Sequence, residues 1–418
     1  MIFFEKISIS LGGAFSYTDI KIKSKTTKEV VFMESGTLAQ HLLTWRHELH
    51  RHPETAFQEV WTGDFISAQL EKMGISVTRN VGGTGLVGTL TCGNGEGTIG
   101  LRADMDANSV GEEGNPEWKS QNPGVMHSCG HDGHVAQLLG AAEILAKKKN
   151  FNGTVYFVFQ PAEEPGKGAQ AMLADGLLKR FPMQEIYGMH NMPNISTGKV
   201  HVRSGGIMGS EDNFTIQVHG KGAHASSPHM SIDPLVTASE VIIALQTIVS
   251  RTVNPIDPLV ISCTELYMDG AHNLIPSNVT IKGDVRSYSP SVQALAESRM
   301  RAVSEHICSL NGADCEFSYT HEFAPTVNHK EQVAYVAEAA AQIVGKDNVD
   351  ADCLPVMISE DFAHYLEQIP GAFFFLGSGD ADRATDNIML HNPKFDYNDK
   401  ILTNGAEILA KIASLRLQ

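Results

Sequence analysis

Val125-Met126-His127-Ser128-Cys129-Gly130-His131-Asp132-Gly133-His134 packs one cysteine, three histidines and an aspartate into ten residues. Cys129 and His131 stand two apart, and Gly130 and Gly133 bracket His131. A segment this rich in glycine does not belong in mid-helix. In an irregular or extended turn both side chains can face one centre. Thiolate and imidazole together suit zinc and other borderline-soft transition metals. The flanking chain is then expected to supply further ligands, a base and a substrate cleft.

Working outward, residues 132–149 carry an Ala/Leu/Ile stripe and end in three lysines, which predicts a helix. Residues 154–160, Thr-Val-Tyr-Phe-Val-Phe-Gln, are a continuous apolar run of strand length, the pattern of a strand buried on both faces. Upstream, apolar residues at helical spacing predict a helix after a Ser35 cap, ending at Pro53, and a second over 60–73. Strands are expected over 75–81, 86–91 and 99–104. The last puts Asp104 and Asp106 at a strand's carboxyl end, where open α/β sheets place their ligand sites.

Downstream, a helix over 169–178 and a strand over 185–189 continue the alternation. It predicts an α/β fold: a mainly parallel sheet flanked by helices. Beyond Ser204-Gly205-Gly206 the pattern changes. A strand over 213–219, a helix over 234–251, strands over 259–268 and 279–287, a helix over 292–310 and a strand over 315–321 give the βαββαβ order of the ferredoxin-like split motif. The α/β pattern resumes near Thr326, with helices over 331–344 and 360–368, a strand over 372–376 and a last helix over 399–415. The expected organisation is a catalytic domain built from 33–207 and 324–418, with an inserted ferredoxin-like domain over 208–323. Residues 1–32 read as an extension of that unit.

Composition excludes some classes of partner. The 32 Lys and Arg against 48 Asp and Glu give a net charge of −16 with no basic run. Nucleic acid is therefore not an expected partner, because phosphate binding needs clustered cations. No apolar run approaches ~18 residues, so no membrane-spanning helix is expected. The six cysteines follow no framework spacing, which reads as a reduced, cytoplasmic chain.

Adjacent Glu163 and Glu164 follow the 154–160 strand and are flanked by Pro161 and Pro165. Neighbours in extended chain point opposite ways. One carboxylate can therefore ligate metal while the other faces substrate as a general base. His190 ends the predicted 185–189 strand, and His391 lies far along the chain. Cys129, His131, Glu164, His190 and His391 form a candidate ligand set that two metals could share, with room for a water. A rival reading makes Cys129 a thiolate nucleophile, His131 its base and Asp132 the orienter. Residues two apart rarely reach that geometry, and the glutamate pair is then left unused.

From about Leu38 onward the chain resembles the metal-dependent aminoacylase and hippurate hydrolase group of amidohydrolases, which includes auxin-conjugate hydrolases and is related to dinuclear-zinc carboxypeptidases. The matching stretches include Leu101-Arg102-Ala103-Asp104-Met105-Asp106, the Cys129 motif, Gln160-Pro161-Ala162-Glu163-Glu164, Gly188-Met189-His190-Asn191, Gly222-Ala223-His224, Asn273-Leu274-Ile275-Pro276, Ser359-Glu360-Asp361-Phe362 and Leu390-His391-Asn392-Pro393. The resemblance implies two divalent ions per subunit (Zn, Mn, Co or Ni) held by the five candidate ligands, with Glu163 as general base. It implies that His224 stabilises the oxyanion, often in the neighbouring subunit's site, and that Asn273 and Arg286 orient substrate. Asp104 is implied as the partner of a ligand. The implied reaction is hydrolysis of N-acyl-amino acids by a homodimer assembled through the inserted domain. A dipeptidase or carboxypeptidase of the same mechanism and a non-catalytic metal-bearing binding protein are the alternatives. Asn108-Ser109-Val110 departs from the group's usual Leu-Pro-Ile, which bears on substrate preference.

Overall fold

The computed structural model describes residues 37–379 and 388–418. The expected extension over 1–32 and the Ser35 cap lie outside the described residues. The first helix, Leu38–Arg51, begins instead after Thr37, whose backbone N–H donates to Gln40 Oε1 at 2.8 Å.

The larger sheet has eight strands in the order Ser76–Arg79, Leu86–Cys92, Gly153–Gln160, Thr98–Asp104, Glu185–Ser196, Gly371–Gly379, Val200–His201, Val349–Asp350. Its centre, from Gly153–Gln160 to Gly371–Gly379, is parallel throughout. Alternate residues face opposite sides of a strand. Phe157, Phe159 and Phe374 accordingly join the core beneath helices Leu38–Arg51, His131–Lys148 and Leu402–Arg416. Val158, Phe373 and Phe375 join the core on the other face, with Met172 and Tyr365. Both faces are dry, which explains the unbroken apolar run of 154–160.

Residues 211–323 build a separate four-stranded antiparallel sheet in the order Leu259–Met268, Asn278–Ser287, Glu211–His219, Asp314–Phe323. Numbered within the segment this is 2-3-1-4, the order of the ferredoxin-like motif. Helices Pro234–Arg251 and Pro290–Leu310 cover it, and its core draws only on residues of this segment. A ribbon of Gly205–Met208 with Thr326–Asn328 pairs the chain entering this region with the chain leaving it.

Four local expectations need correction. His190 does not end its strand. Glu185–Ser196 runs on past it because Gly371–Gly379 pairs alongside, with Phe375 opposite His190. The helix expected over 360–368 is only Ala363–Leu366, since Glu360 and Asp361 are held by Arg102. The helix over 169–178 divides into Gly168–Ala174 and Leu177–Arg180 at Gly176, which adopts φ 80°. Glu163 and Glu164 do not alternate along an extended chain. They sit in a turn that opens at Ala162, whose φ is 51°.

Candidate metal centre

The parallel strands converge their carboxyl ends on one place. Asp104 ends one strand, Glu163 and Glu164 follow its neighbour, and His190 lies on the next. The Cys129 motif enters above them and becomes the helix His131–Lys148. Gly130 makes that entry with φ 95°, and a Cβ there would stand 2.5 Å from Asn191 Oδ1. A Cβ on Gly133 would stand 2.3 Å from the Tyr397 ring. Close approach requires both glycines, and Gly130 is required by its backbone conformation as well.

Cys129 Sγ lies 3.4 Å from His190 Nε2 and 3.3 Å from His391 Nε2. Two donor triads share this sulfur: Cys129, His131 and His190 form one, and Cys129, Glu164 and His391 the other. Within each the donor atoms lie within 4.8 Å of one another. All five sequence-derived candidates are therefore brought together. Their orientation is set from behind. His131 Nδ1 donates to the Asp106 carbonyl at 2.9 Å, and His190 Nδ1 to the Asn191 carbonyl at 2.8 Å. Carbonyls only accept, so Nδ1 of each ring donates backward and Nε2 is the atom turned to the cluster. His131 Nε2 and Glu164 Oε1 are buried without a hydrogen-bond partner among the described residues. Unpartnered buried donor atoms of this kind fit a cation.

The electrostatics agree. Arg102 is buried, donating to Asp104 at 2.7 Å, Glu360 at 2.9 Å, Asp361 at 3.0 Å and Gln160 at 2.9 Å. One guanidinium faces three carboxylates there, with Glu163 grouped against Glu360 and Asp361. Burial, reinforced by Glu360, pushes Asp361 up to about 8 against the pull of Arg102. Burial also raises Glu163 well above the ordinary carboxylate range, helped by Glu360 and Glu164. Glu164 goes the other way. Burial opposes its charge, but the His391 hydrogen bond and His131 bring it down to about 2. The two carboxylates are thus pushed in opposite directions, the separation that acid–base and ligand roles need.

The thiolate-nucleophile reading loses its orienter. Asp132 turns away from His131, accepting from Arg46 Nε at 3.1 Å and His50 Nδ1 at 2.7 Å. Burial, with Glu164 and Glu163 nearby, also pushes the Cys129 thiol well above its usual range, so it is not activated as a free nucleophile.

Asp104 accepts from His134 Nδ1 at 2.6 Å and lies 3.7 Å from His131 Nε2. His224 and Asn273 are placed elsewhere. The pair Ala223–His224 forms a small ribbon with Leu274–Ile275, where Ala225 N–H donates to the Asn273 carbonyl at 3.0 Å. His224 is exposed, its Nδ1 2.8 Å from Ser226 Oγ, and belongs to none of the donor groups among the described residues. Arg286 is tied by its guanidinium to Ser359 Oγ at 2.7 Å, Glu211 at 2.9 Å and Asp284 at 3.0 Å. It thereby links the smaller sheet to the segment that carries Glu360.

Sequence reasoning placed Asp106 near a ligand site but gave it no role. Its two carboxylate oxygens accept the backbone N–H groups of Glu163 at 3.0 Å and Glu164 at 3.1 Å, which fixes the turn. The signal was the Asp-Met-Asp spacing, which puts two carboxylates on one side of a strand end.

Peptidase family M20/M25/M40 matches residues 100–415. Hippurate hydrolase from Campylobacter jejuni is 39% identical over 368 residues, covering 88% of this chain and 94% of that protein. N-acetyl-L-cysteine deacetylase from Bacillus subtilis is 35% identical over 381 residues, covering 90% of this chain and 88% of that protein. The crystal structure of the Bacillus subtilis YXEP protein, a dinuclear metal binding peptidase from the M20 family, aligns with a TM-score of 0.79 at 31% identity, covering 91% of this chain and 98% of that one. The chain belongs to peptidase family M20/M25/M40 and is a metal-dependent amidohydrolase.

Proposed function

We propose that this amidohydrolase cleaves N-acyl-amino acids to a carboxylic acid and a free amino acid, at a site of two divalent ions. The observation that carries the reading is the pair of donor triads sharing Cys129, with the buried Glu163 carboxylate beside them. Hippurate and N-acetyl-L-cysteine, named for two similar proteins, are both N-acyl amino acids. Cys129, His131, Glu164, His190 and His391 are the ligands, with Asp106 behind His131 and Asp104 beside its Nε2. When bound, the ions polarise the amide carbonyl and acidify a water. Glu163 takes that water's proton and later delivers it to the leaving amine. Burial among carboxylates suits a group that must hold a proton between the two steps.

His224 supplies the oxyanion contact to a second copy's site, and Asn273 and Arg286 orient substrate. The copies form a homodimer through the inserted domain, 208–323, joined to a catalytic domain of 33–207 and 324–418. Support comes from Leu259–Met268, which among the described residues pairs on one edge only and ends in exposed Leu266, Tyr267 and Met268. Its neighbouring helix Pro234–Arg251 exposes Val236 and Ile243. An apolar unpaired edge of this kind calls for a partner. Leu266→Glu with Met268→Glu is expected to run as a monomer in light scattering, with activity lost as His224 leaves the neighbouring site. A variant still dimeric, or a fully active monomer, contradicts this arrangement.

The reaction is tested on a panel of hippurate, N-acetyl amino acids, N-acetyl-diaminopimelate and dipeptides, assayed with Zn²⁺, Mn²⁺ and Co²⁺. The expected result is a larger kcat/KM for an N-acyl amino acid than for any dipeptide. The reverse order makes the chain a dipeptidase or carboxypeptidase.

A further inference from the structure

Glu59 is a buried carboxylate that holds the turn carrying Glu163 from a distant part of the chain. It stands at the cap position of helix Val60–Lys72, where a side chain ordinarily accepts N–H groups of its own helix. Here Glu54 takes that role, accepting Trp61 N–H at 3.1 Å, Thr62 N–H at 2.9 Å and the Thr62 hydroxyl at 3.0 Å. The Glu59 side chain is left to cross to another element. Its Oε1 accepts the Ala162 N–H at 2.9 Å, and its Oε2 accepts the Thr84 hydroxyl. Ala162 has φ 51°, a left-handed conformation that strains any residue with a Cβ. Such a conformation persists only where the surroundings hold it. Three successive N–H groups thus run into two buried carboxylates: Ala162 into Glu59, and Glu163 and Glu164 into Asp106. Glu54 ties this brace to the strand end as well, since its carbonyl accepts Ala107 N–H at 2.8 Å, one residue beyond Asp106.

We propose that Glu59 is a positioning residue for the base: by holding Ala162 left-handed it sets the direction in which Glu163, the next residue, presents its carboxyl group. The inference rests on the reading of Glu163 as base given above. Asp106 grips Glu163 and Glu164 alike, whereas Glu59 grips only the residue before them. Without Glu59, Ala162 relaxes and the chain enters Glu163 at another angle, while Asp106 still pins the backbone of the ligand Glu164. A displacement of about 1 Å at a catalytic group costs about 10²-fold in rate. The effect therefore falls on turnover and not on metal uptake. What Glu59 supplies is an acceptor, and a neutral amide oxygen supplies the same.

The test measures kcat, KM and zinc content of the full chain, on the best substrate of the panel above, for wild type, Glu59→Met, Glu59→Gln and Glu163→Gln. Glu59→Met is expected to lose about 10²-fold in kcat at unchanged KM and zinc content. Glu59→Gln is expected to regain most of that loss, because its amide oxygen accepts the Ala162 N–H while its nitrogen donates to Thr84 Oγ. Glu59→Met combined with Glu163→Gln is expected to be no slower than Glu163→Gln alone, since Glu59 acts only through Glu163. Wild-type kcat in Glu59→Met overturns the inference. So do equal losses in Glu59→Met and Glu59→Gln, additive losses in the double variant, or loss of zinc together with turnover. Those results leave the reading of Glu163 as base intact, whereas an active Glu163→Gln overturns both. If Glu59→Met does not fold, Thr84→Val decides, since it removes the hydroxyl that holds Oε2. Its kcat must fall, and must not fall further in the Glu163→Gln background; any other result overturns the inference.

Discussion

Glu163→Gln is expected to fold, to bind both metal equivalents and to lose about 10³-fold in kcat, within the range that loss of a positioned acid–base group produces. The side chain keeps its shape and its buried place but can no longer take or return a proton. The neighbourhood argues against a collapse of the fold as the cause of such a loss. Glu163 stands against Glu360 and Asp361, and burial and those charges already oppose its ionisation. A neutral isostere relieves that crowding. Thermal unfolding of the variant should therefore match wild type or exceed it. The measurement is kcat on the best panel substrate, with metal content determined on the same sample. Activity within ~10-fold of wild type removes Glu163 from the role of base.

Cys129→Ser is expected to damage the centre more broadly than loss of any other ligand. Its sulfur lies between His190 Nε2 and His391 Nε2 and is counted in both triads. A serine hydroxyl is a harder and far less acidic donor than the thiol, poorly matched to a site whose other ligands are three imidazoles and one carboxylate. Both equivalents should weaken, by at least the ~10–100-fold that loss of a mere supporting contact costs. Turnover should fall with them and recover in part at high metal concentration. Loss of a single equivalent would instead mean that the sulfur serves one ion. Unchanged metal binding with lost activity would revive the cysteine as a nucleophile.

The ligands were legible in the sequence because their chemistry is in the residue type. A cysteine, three histidines and a glutamate, most of them beside glycine turns or predicted strand ends, are hard to account for as core or surface alone. The parallel core was legible for a related reason. Runs such as 154–160 have no polar face, and a strand without one must be covered on both sides. What stayed hidden depended on partners distant in sequence. Arg102 reads as one charge in a strand until Glu360 and Asp361 arrive from 258 and 259 residues away to hold it, shortening a helix in the process. The turn at Glu163 depends on Asp106, and no propensity of the Ala162-Glu163-Glu164 run announces it. His224 and Asn273 were named through resemblance, and their exposed ribbon explains why no pattern within one chain marks them as part of a site.

The most direct measurement is anomalous diffraction at the zinc edge from crystals of the zinc-loaded chain. Two peaks are predicted, each about 2.3 Å from Cys129 Sγ, one completed by His131 and His190 and the other by Glu164 and His391. A single peak, or peaks remote from Cys129, would contradict the shared-sulfur centre on which the proposed reaction depends.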